Sequence, residues 1–192
     1  MVRHQYHHGD LRNALLKAAR ELLEERGPSA LGLREIARRV GVSAPSAYHH
    51  FANLDAIAVG LAEQGSAEMI EQLTEAAGRA DQSALGRSGE AYVAFARANP
   101  ALYRLMFGEG FPAASQGGKA VRDLRQQTYA LLKSGLEKRL SCDAVPSAAL
   151  FLWALAHGLA LLMIDGQIEP GEDPDALIRR VLGLAGSGLS TG

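Results

Sequence analysis

The pattern of apolar positions along the chain predicts helices from one end to the other. Between residues 11 and 23 the apolar residues recur at spacings of three and four, which places them on one face of a helix. Asp10 is the predicted N-cap of this helix, and Gly27-Pro28 ends it. Sustained alternation of apolar and polar residues is absent, and Val, Ile and Thr are sparse next to Leu and Ala. The predicted fold class is therefore all-α.

The same periodicity predicts the rest of the chain, with Gly, Pro and capping residues marking the ends of each element. Helices are predicted over about residues 33–40, 43–50, 53–77, 84–98, 100–106, 119–140, 146–166 and 174–185. Loops are predicted at 78–83 and at the glycine-rich segment 107–119, and Gly183–Gly192 is expected to fray. The natural boundary lies in the fourth helix, giving an N-terminal three-helix domain (1–55) and a C-terminal helical domain (56–192).

The segment 33–51 is typical of a helix-turn-helix. Two short helices that cross steeply need a tight turn and a small residue at the crossing. Gly41 supplies the turn because glycine adopts positive φ without penalty, and Ala37 is the small residue. Ser43 is expected to cap the second short helix, with Pro45 in its first turn. The predicted shared core consists of Ile36, Val40, Val42 and Ala47.

The remaining residues of this segment are predicted to face outward. They are Ala44, Pro45, Ser46, Tyr48, His49 and His50, with Arg34, Arg38 and Arg39 beside them. A short, polar and partly basic face suits entry into a DNA major groove, which is about 12 Å wide. The pattern alone also fits an ordinary helical hairpin inside a bundle.

Charge and composition narrow the class of protein. The 192 residues carry a formal net charge of −1, but residues 1–55 carry +2 and the remainder −3. A mildly basic end on an acidic body suits contact with an anionic partner through that end. Cys142 is the single cysteine, and the polar, histidine-rich N-terminus has no apolar stretch of the kind a signal peptide needs. The predicted location is the cytoplasm.

Two sets of residues carry a resemblance to a known family. The run 33–51, which ends in Tyr-His-His-Phe and is followed by Asn-Leu-Asp-Ala-Ile, closely resembles the N-terminal domain of the TetR family of regulators. The run 99–107 and the run Trp153-Ala-Leu-Ala-His-Gly158 resemble the TetR subgroup whose C-terminal domain has a Trp…His-Gly motif. The resemblance spans about residues 6–185 and implies a DNA-binding regulator.

The resemblance implies roles for the matching positions. Tyr48 is expected to contact a phosphate with His50 beside it, and Ala44 and Pro45 to meet base edges next to Ser46. These tip residues can contact a thymine methyl but cannot pair bidentately with guanine. We therefore expect His49, or Arg3 in the N-terminal arm, to recognise the DNA sequence. Many relatives place Lys or Arg where this chain has Leu54, and a hydroxyl residue where it has Gly32.

The C-terminal half is expected to bind an effector and a second copy of the chain. The candidate effector-binding residues are Phe95, Tyr103, Met106, Phe107, Trp153, His157 and Met163, with segment 107–119 as a lid. Their mostly apolar character favours a hydrophobic or aromatic ligand, although a plain packed core gives the same pattern. The apolar run 148–164 falls short of the roughly 20 residues of a membrane span, so we expect a buried helix rather than a membrane segment. With the final helix it is expected to form a four-helix bundle in a homodimer, as family members do.

The predicted function is therefore a ligand-responsive repressor that leaves a palindromic double-stranded DNA operator when a small effector binds. No cofactor and no metal are expected. A solvated arm is a better interpretation than a metal site for the group His4, His7, His8 and Asp10. Two alternatives stay open. A helical-bundle metal enzyme would need Glu-x-x-His pairs, which the sequence lacks, and an architectural DNA-binding protein without an effector would favour a more basic surface.

Overall fold

The computed structural model describes residues 8–78, 84–108, 119–168 and 173–189, and every regular element in these ranges is helical. This confirms the all-α class. The helices are α1 (His8–Arg26), α2 (Leu33–Val40), α3 (Ala44–His50), α4 (Leu54–Ala77), α5 (Ala84–Ala98), α6 (Pro100–Phe107), α7 (Lys119–Leu136), α8 (Val145–Ile164) and α9 (Pro174–Leu189), with a 3₁₀ turn at Pro28–Ala30.

The predicted N-cap of α1 is wrong, although its predicted end is confirmed. The helix already includes His8 and Gly9, so Asp10 lies within it and not at its cap. The helix ends at Arg26, followed by Gly27 with φ 77°.

Two predicted ends in the C-terminal half also differ from the structure. Helix α7 stops at Leu136, four residues before the predicted end, and the chain continues in turns closed by bonds from the Arg139 and Leu140 N–H groups to the Leu136 carbonyl. Helix α9 continues through Gly183 to Leu189, where fraying was expected. Burial of Ala185 beyond the glycine helps to hold this part of the helix in place. The predicted loops at 78–83 and 107–119 fall largely outside the described residues.

The chain forms two compact units, and the first contains the described parts of residues 1–65 and 101–122. Its core is built from apolar faces of α1, α2 and the N-terminal half of α4. Phe51, between α3 and α4, is buried with them. The largest aliphatic side chains of this core are Leu15, Leu16, Leu22, Leu23, Ile36, Ile57, Leu61 and Leu102.

Helix α6 belongs to this first unit through two specific contacts. The Glu24 carboxylate of α1 accepts hydrogen bonds from the Ala101 and Leu102 N–H groups at 3.1 and 2.9 Å. On α4, a Cβ at Gly65 would lie 2.7 Å from Leu102 Cδ2 and 2.8 Å from Met106 Sδ. A side chain at position 65 would therefore press on α6, and glycine allows the two helices to approach.

The second unit contains the described parts of residues 66–100 and 123–192. The C-terminal half of α4 and the start of α5 run antiparallel, because Ser88 donates to the Leu73 carbonyl and Arg87 to the Ala76 and Ala77 carbonyls. Two buried clusters join the other helices. One contains Val93, Leu159, Ile178 and Leu182, and the other contains Leu136, Val145, Ala148 and Ala149.

These units do not follow a single cut in the sequence. Helix α4 runs unbroken through the predicted boundary at residue 55, and the first unit extends to Gly65 before α6 adds to it. The assignment of DNA binding to residues 1–55, and of effector binding and dimerisation to 56–192, stays a prediction about function.

Within the described ranges, α8 alone has the length and apolar composition to cross a membrane. The core helices of water-soluble proteins pass the same test, so this finding is weak evidence. Helices α8 and α9 leave large apolar side chains in contact with solvent. These are Leu150, Phe151, Trp153 and Leu162 on α8 and Leu184 on α9, with exposed fractions from 40% to 73%.

Candidate functional site

The turn between α2 and α3 has the predicted geometry. Gly41 follows α2 with φ 81°, in the left-handed region that favours glycine, and the Val42 N–H bonds the Ala37 carbonyl at 2.9 Å. Ile36, Ala37 and Ala47 are fully buried, as predicted. Val40 and Val42 are half-buried. Most of the predicted core of the helix-turn-helix is therefore confirmed.

The start of α3 is fixed by a serine cap, also as predicted. Ser43 Oγ accepts a hydrogen bond from the Ser46 N–H at 3.3 Å, and the two hydroxyl oxygens lie 2.8 Å apart. Pro45 occupies the first turn, where its missing N–H leaves no bond unmade. The Ser46 hydroxyl is thus already engaged in holding the end of the helix.

The outer side of α3 presents the predicted candidates to solvent. Pro45, Tyr48 and His49 are exposed, whereas Ala44, Ser46 and His50 are half-buried. Tyr48 has 48% of its surface exposed, and its hydroxyl makes no hydrogen bond with any residue that the structure describes. The two histidine rings meet edge to face at 5.7 Å. The face offers one phenol and two imidazoles around a small apolar tip.

The three arginines of α2 differ in what they contact. Arg38 makes two hydrogen bonds to Glu35, at 2.6 and 2.8 Å, and this ion pair lowers the pKa of Glu35 and raises that of Arg38. Arg39 reaches across to Glu25 of α1 at 2.6 Å, which raises the pKa of Arg39. Arg34 is exposed, and within the described ranges no acidic group pairs with it. An anion can therefore bind this guanidinium without an ion pair inside the protein having to break first.

Two residues beside this face were not singled out from the sequence. Arg12 of α1 is exposed, and its guanidinium lies 5.1 Å from the centre of the Phe51 ring. Asn53 Oδ1 accepts the Ala56 N–H at 2.9 Å and so caps α4. The Asn-x-x-Ala spacing before an apolar run predicts the cap, but the position of Arg12 depends on packing between segments 39 residues apart, which local patterns do not encode.

The predicted effector-binding residues fall into both units. Tyr103, Met106 and Phe107 lie on α6 in the first unit, where the first two are buried and the Tyr103 and Phe107 rings stand 4.8 Å apart. Phe95, Trp153, His157 and Met163 lie in the second unit, where Phe95 is buried.

Within the second unit the predicted residues have different neighbours. His157 Nδ1 lies 3.1 Å from the Tyr92 hydroxyl, and burial lowers the pKa of His157. Trp153 has 40% of its surface exposed and packs its ring 6.3 Å from that of Tyr129. Met163 packs against the cluster around Val93. Trp153 and His157 share a face of α8, as expected, but Met163 belongs to another contact region.

An open apolar groove of about 410 Å³ lies where α7 and α8 meet. Tyr129 lines it from α7, and Pro146, Ser147, Leu150 and Trp153 line it from α8. In the described ranges, no three His, Cys, Asp or Glu side chains are close enough to hold a metal ion. His4 and His7 of the predicted arm lie outside these ranges.

Comparisons with known proteins agree with this geometry. The chain is 31% identical over 90 residues to an uncharacterized HTH-type transcriptional regulator, YobS, of Bacillus subtilis (strain 168), a match that covers 46% of this chain and 47% of the relative. The chain thus spans about half the length of this relative. A solved structure of a protein with unknown function from Rhodococcus sp. RHA1 matches with a TM-score of 0.84 and 27% identity, over 98% of this chain and all of that one.

A third likeness concerns the fold alone. The transcriptional regulator FadR from Bacillus subtilis, solved in complex with stearoyl-CoA, has a TM-score of 0.73 at 18% identity, over 92% of this chain and 98% of its own. Residues 15–61 match the bacterial regulatory proteins of the tetR family, and residues 85–184 match the tetracyclin repressor-like C-terminal domain. With the helix-turn-helix and the C-terminal helices described above, these matches show that the chain belongs to the TetR family of transcriptional regulators.

Proposed function

We propose that this protein is a cytoplasmic repressor that binds a palindromic DNA operator as a homodimer and leaves it when a small effector binds. The observation that supports operator binding best is the outer side of α3, where Tyr48 and His49 are exposed beside Arg34, which pairs with no acidic group of the described residues. A phenol and a guanidinium can donate hydrogen bonds to phosphate oxygens without giving up a bond inside the protein. Regulators of this family are not enzymes, and catalysis forms no part of the proposal.

The small tip of α3 suggests how the operator is read. Ala44 and Pro45 have no polar side-chain atoms, and the Ser46 hydroxyl is held by Ser43. Thymine methyl groups are the base-edge features that such a tip contacts well. His49 and Arg34 then remain as the polar groups of the helix-turn-helix that can reach base edges, with Tyr48 and His50 on the phosphate backbone.

Dimerisation is supported by the apolar side chains that α8 and α9 leave exposed. A single recognition helix of seven residues contacts too few base pairs for a unique site. Two copies spaced one helical turn of DNA apart, about 34–36 Å, would double the contacts and require a palindrome. Burying Leu150, Phe151 and Leu162 against a second copy would also remove them from water.

Release by an effector follows if the effector binds a conformer in which the two α3 helices have another spacing. The affinity for the operator then falls by the ratio of the effector affinities for the two conformers. The aromatic groove residues Tyr129 and Trp153 support an effector that is largely apolar.

The experiment begins with selection of bound fragments from the genomic DNA of the source organism by the purified full-length protein. The selected site is then used in fluorescence anisotropy titrations at several salt concentrations. We expect Arg34→Ala to weaken binding by about 1–3 kcal/mol if it contacts a guanine, or to lower the salt slope by about one unit if it contacts a phosphate. Tyr48→Phe removes only the hydroxyl and should weaken binding to all sequences alike.

Arg38→Ala is the matched control, because that arginine lies one turn further along α2 but is already paired with Glu35. We expect a smaller loss of affinity than for Arg34→Ala. Equal losses for the two variants would contradict the role assigned to Arg34. Failure of the wild-type protein to select any duplex at low salt would overturn the proposed function itself.

A further inference from the structure

The second unit places several polar side chains from different helices at one level of an otherwise apolar bundle. Tyr92 of α5 is buried and lies 3.1 Å through its hydroxyl from His157 Nδ1 of α8. The neighbouring residues on these helices belong to the apolar core, among them Val93, Phe95, Ala156 and Leu159. A hydrogen-bonded polar pair in such a place costs free energy that packed apolar residues would not cost. It is therefore a candidate for ligand recognition.

The pairing of α7 with α8 brings an arginine to the same level. Leu136, at the end of α7, packs with Val145 at the start of α8, so the two helices run antiparallel. Further along, the Tyr129 ring lies 6.3 Å from the Trp153 ring. One more turn on each helix leads to Arg125 and His157, because residues four apart share a helix face.

Arg125 is half-buried at this position. Its place on α7 continues the stripe of Tyr129, Leu132 and Leu136 that packs on α8. Burial lowers the pKa of Arg125, since the surroundings solvate its charge less well than water does. A guanidinium keeps its charge even so, and its planar fork of donors fits a carboxylate bidentately.

A buried hydroxyl adds a fourth polar group one turn away. Ser66 of α4 is only 5% exposed. The bond from Ser88 to the Leu73 carbonyl sets the antiparallel register of α4 and α5. Seven residues along each helix, this register places Ser66 level with Phe95, one turn from Tyr92.

We propose that this part of the second unit binds an apolar organic acid, whose carboxylate is held by Arg125 and by the Tyr92–His157 pair. The apolar body of the acid lies along the neighbouring aromatic and aliphatic side chains, including Tyr129 and Trp153, and Ser66 accepts or donates a bond at its edge. The inference rests on the proposed function in that this acid is the class of effector that releases the operator. The sequence alone favoured a hydrophobic or aromatic ligand, and the new element is the negative charge.

The test compares acids with uncharged ligands that have the same body. Octanoate and naphthoate are titrated into the full-length protein at pH 7.5 by isothermal calorimetry, against octanol and naphthylmethanol. Trp153 is the only tryptophan of the chain, so its fluorescence reports octanoate binding without labelling. We expect at least one acid to bind about tenfold or more tightly than its alcohol, as a charge-assisted bidentate pair provides.

Variants at Arg125 identify the group responsible. Arg125→Gln should bind the acid about as weakly as wild type binds the alcohol, with alcohol binding unchanged. Arg125→Lys keeps the charge without the planar fork and should retain part of the preference, which guards against a glutamine variant that folds poorly. Arg122→Gln is the control, because this arginine is exposed on the same helix one turn away.

Three results would overturn the proposal: no saturable binding of either acid, equal affinity for acid and alcohol, or full acid preference in Arg125→Gln. Operator binding is measured on the same preparations. Acid binding without any operator binding would refute the proposed function and leave the site intact. Operator binding that persists when the acid saturates the protein would refute the acid as effector.

Discussion

His157 shows how a single residue links burial to pH. Burial lowers its pKa because the less polar surroundings disfavour the imidazolium, so the folded state holds a proton less readily than the unfolded state. The stability that follows from neutral His157 is complete above the unfolded pKa and is lost as the pH falls through that value towards the folded pKa.

We therefore predict that His157→Gln reduces the loss of stability on acidification from pH 7.5 to 5.5. Glutamine can still accept the Tyr92 hydroxyl bond but does not titrate. Urea unfolding midpoints at matched protein concentration measure the effect, which cannot exceed about 1.4 kcal/mol per pH unit for one proton. His49→Gln, at an exposed position, is the control, and the two variants should not behave alike.

For single residues, the sequence predicts contacts between side chains and backbone groups that are close along the chain, but not contacts between distant segments. The bonds made by the caps Ser43 and Asp173 follow from side chains two or three residues from their partners. The pairing of Arg39 with Glu25 spans 14 residues and that of Arg97 with Asp175 spans 78. Such partners depend on how the helices pack, which no local pattern specifies.

Among the helices, the contact of α4 with α6 depends on one glycine. A methyl group at Gly65 would meet Leu102 Cδ2 at 2.7 Å and Met106 Sδ at 2.8 Å, closer than real Cβ atoms come to their neighbours. The flexible ends of these side chains can move, but α6 is also fixed at its first turn by Glu24. Movement of α6 can therefore relieve the clash with a side chain at position 65 only to a small extent.

We predict that Gly65→Ala destabilises the protein by about 1–3 kcal/mol, the usual cost of overpacking, despite the better helix propensity of alanine. Gly86→Ala is the matched substitution in α5, where a Cβ meets no atom within 4 Å. It should stabilise by about 0.5–1 kcal/mol, as alanine does in a helix interior. Chemical denaturation of both variants decides the matter, and a stabilised Gly65→Ala would contradict the close contact.

The ends of the helices show where sequence patterns succeed and fail. Pro100, Pro146 and Pro174 mark helix starts correctly to within a residue, because proline excludes itself from later positions. The sequence predicts too early an end for α9, because glycine at position 183 is typical of a helix end. Burial of Ile178, Leu182 and Ala185 inside the second unit outweighs the weak helix propensity of the glycine.

For the whole molecule, the exposed apolar side chains of α8 are the contact surface of the proposed homodimer. We predict that the double variant Leu150→Glu/Phe151→Glu turns the proposed dimer into a monomer, because two carboxylates would have to lose their water at the interface. Sedimentation velocity measures the change in mass, and operator affinity should fall with it. Ala94→Glu, at an exposed position of α5, adds charge elsewhere and should leave the dimer intact.

A dimer that survives the double variant would place the interface elsewhere.

The all-α class and the helix-turn-helix were predictable from periodicity and from the Gly41 turn. The candidate effector residues were not, because an aromatic residue at helical spacing looks the same whether it fills a core or lines a site. In the structure these candidate residues have different neighbours: Trp153 lies beside Tyr129, and His157 lies beside Tyr92.

The carboxylate of Glu24 bonded to the first turn of α6 has a consequence for how the protein is made. Ribosomes release a chain from its N-terminus, so the segment that forms α1 to α3 emerges well before residues 101–107. Until those residues arrive, Glu24 lacks its two N–H donors and Gly65 faces no helix. The core that contains the helix-turn-helix is therefore completed only after residues 101–107 have left the ribosome.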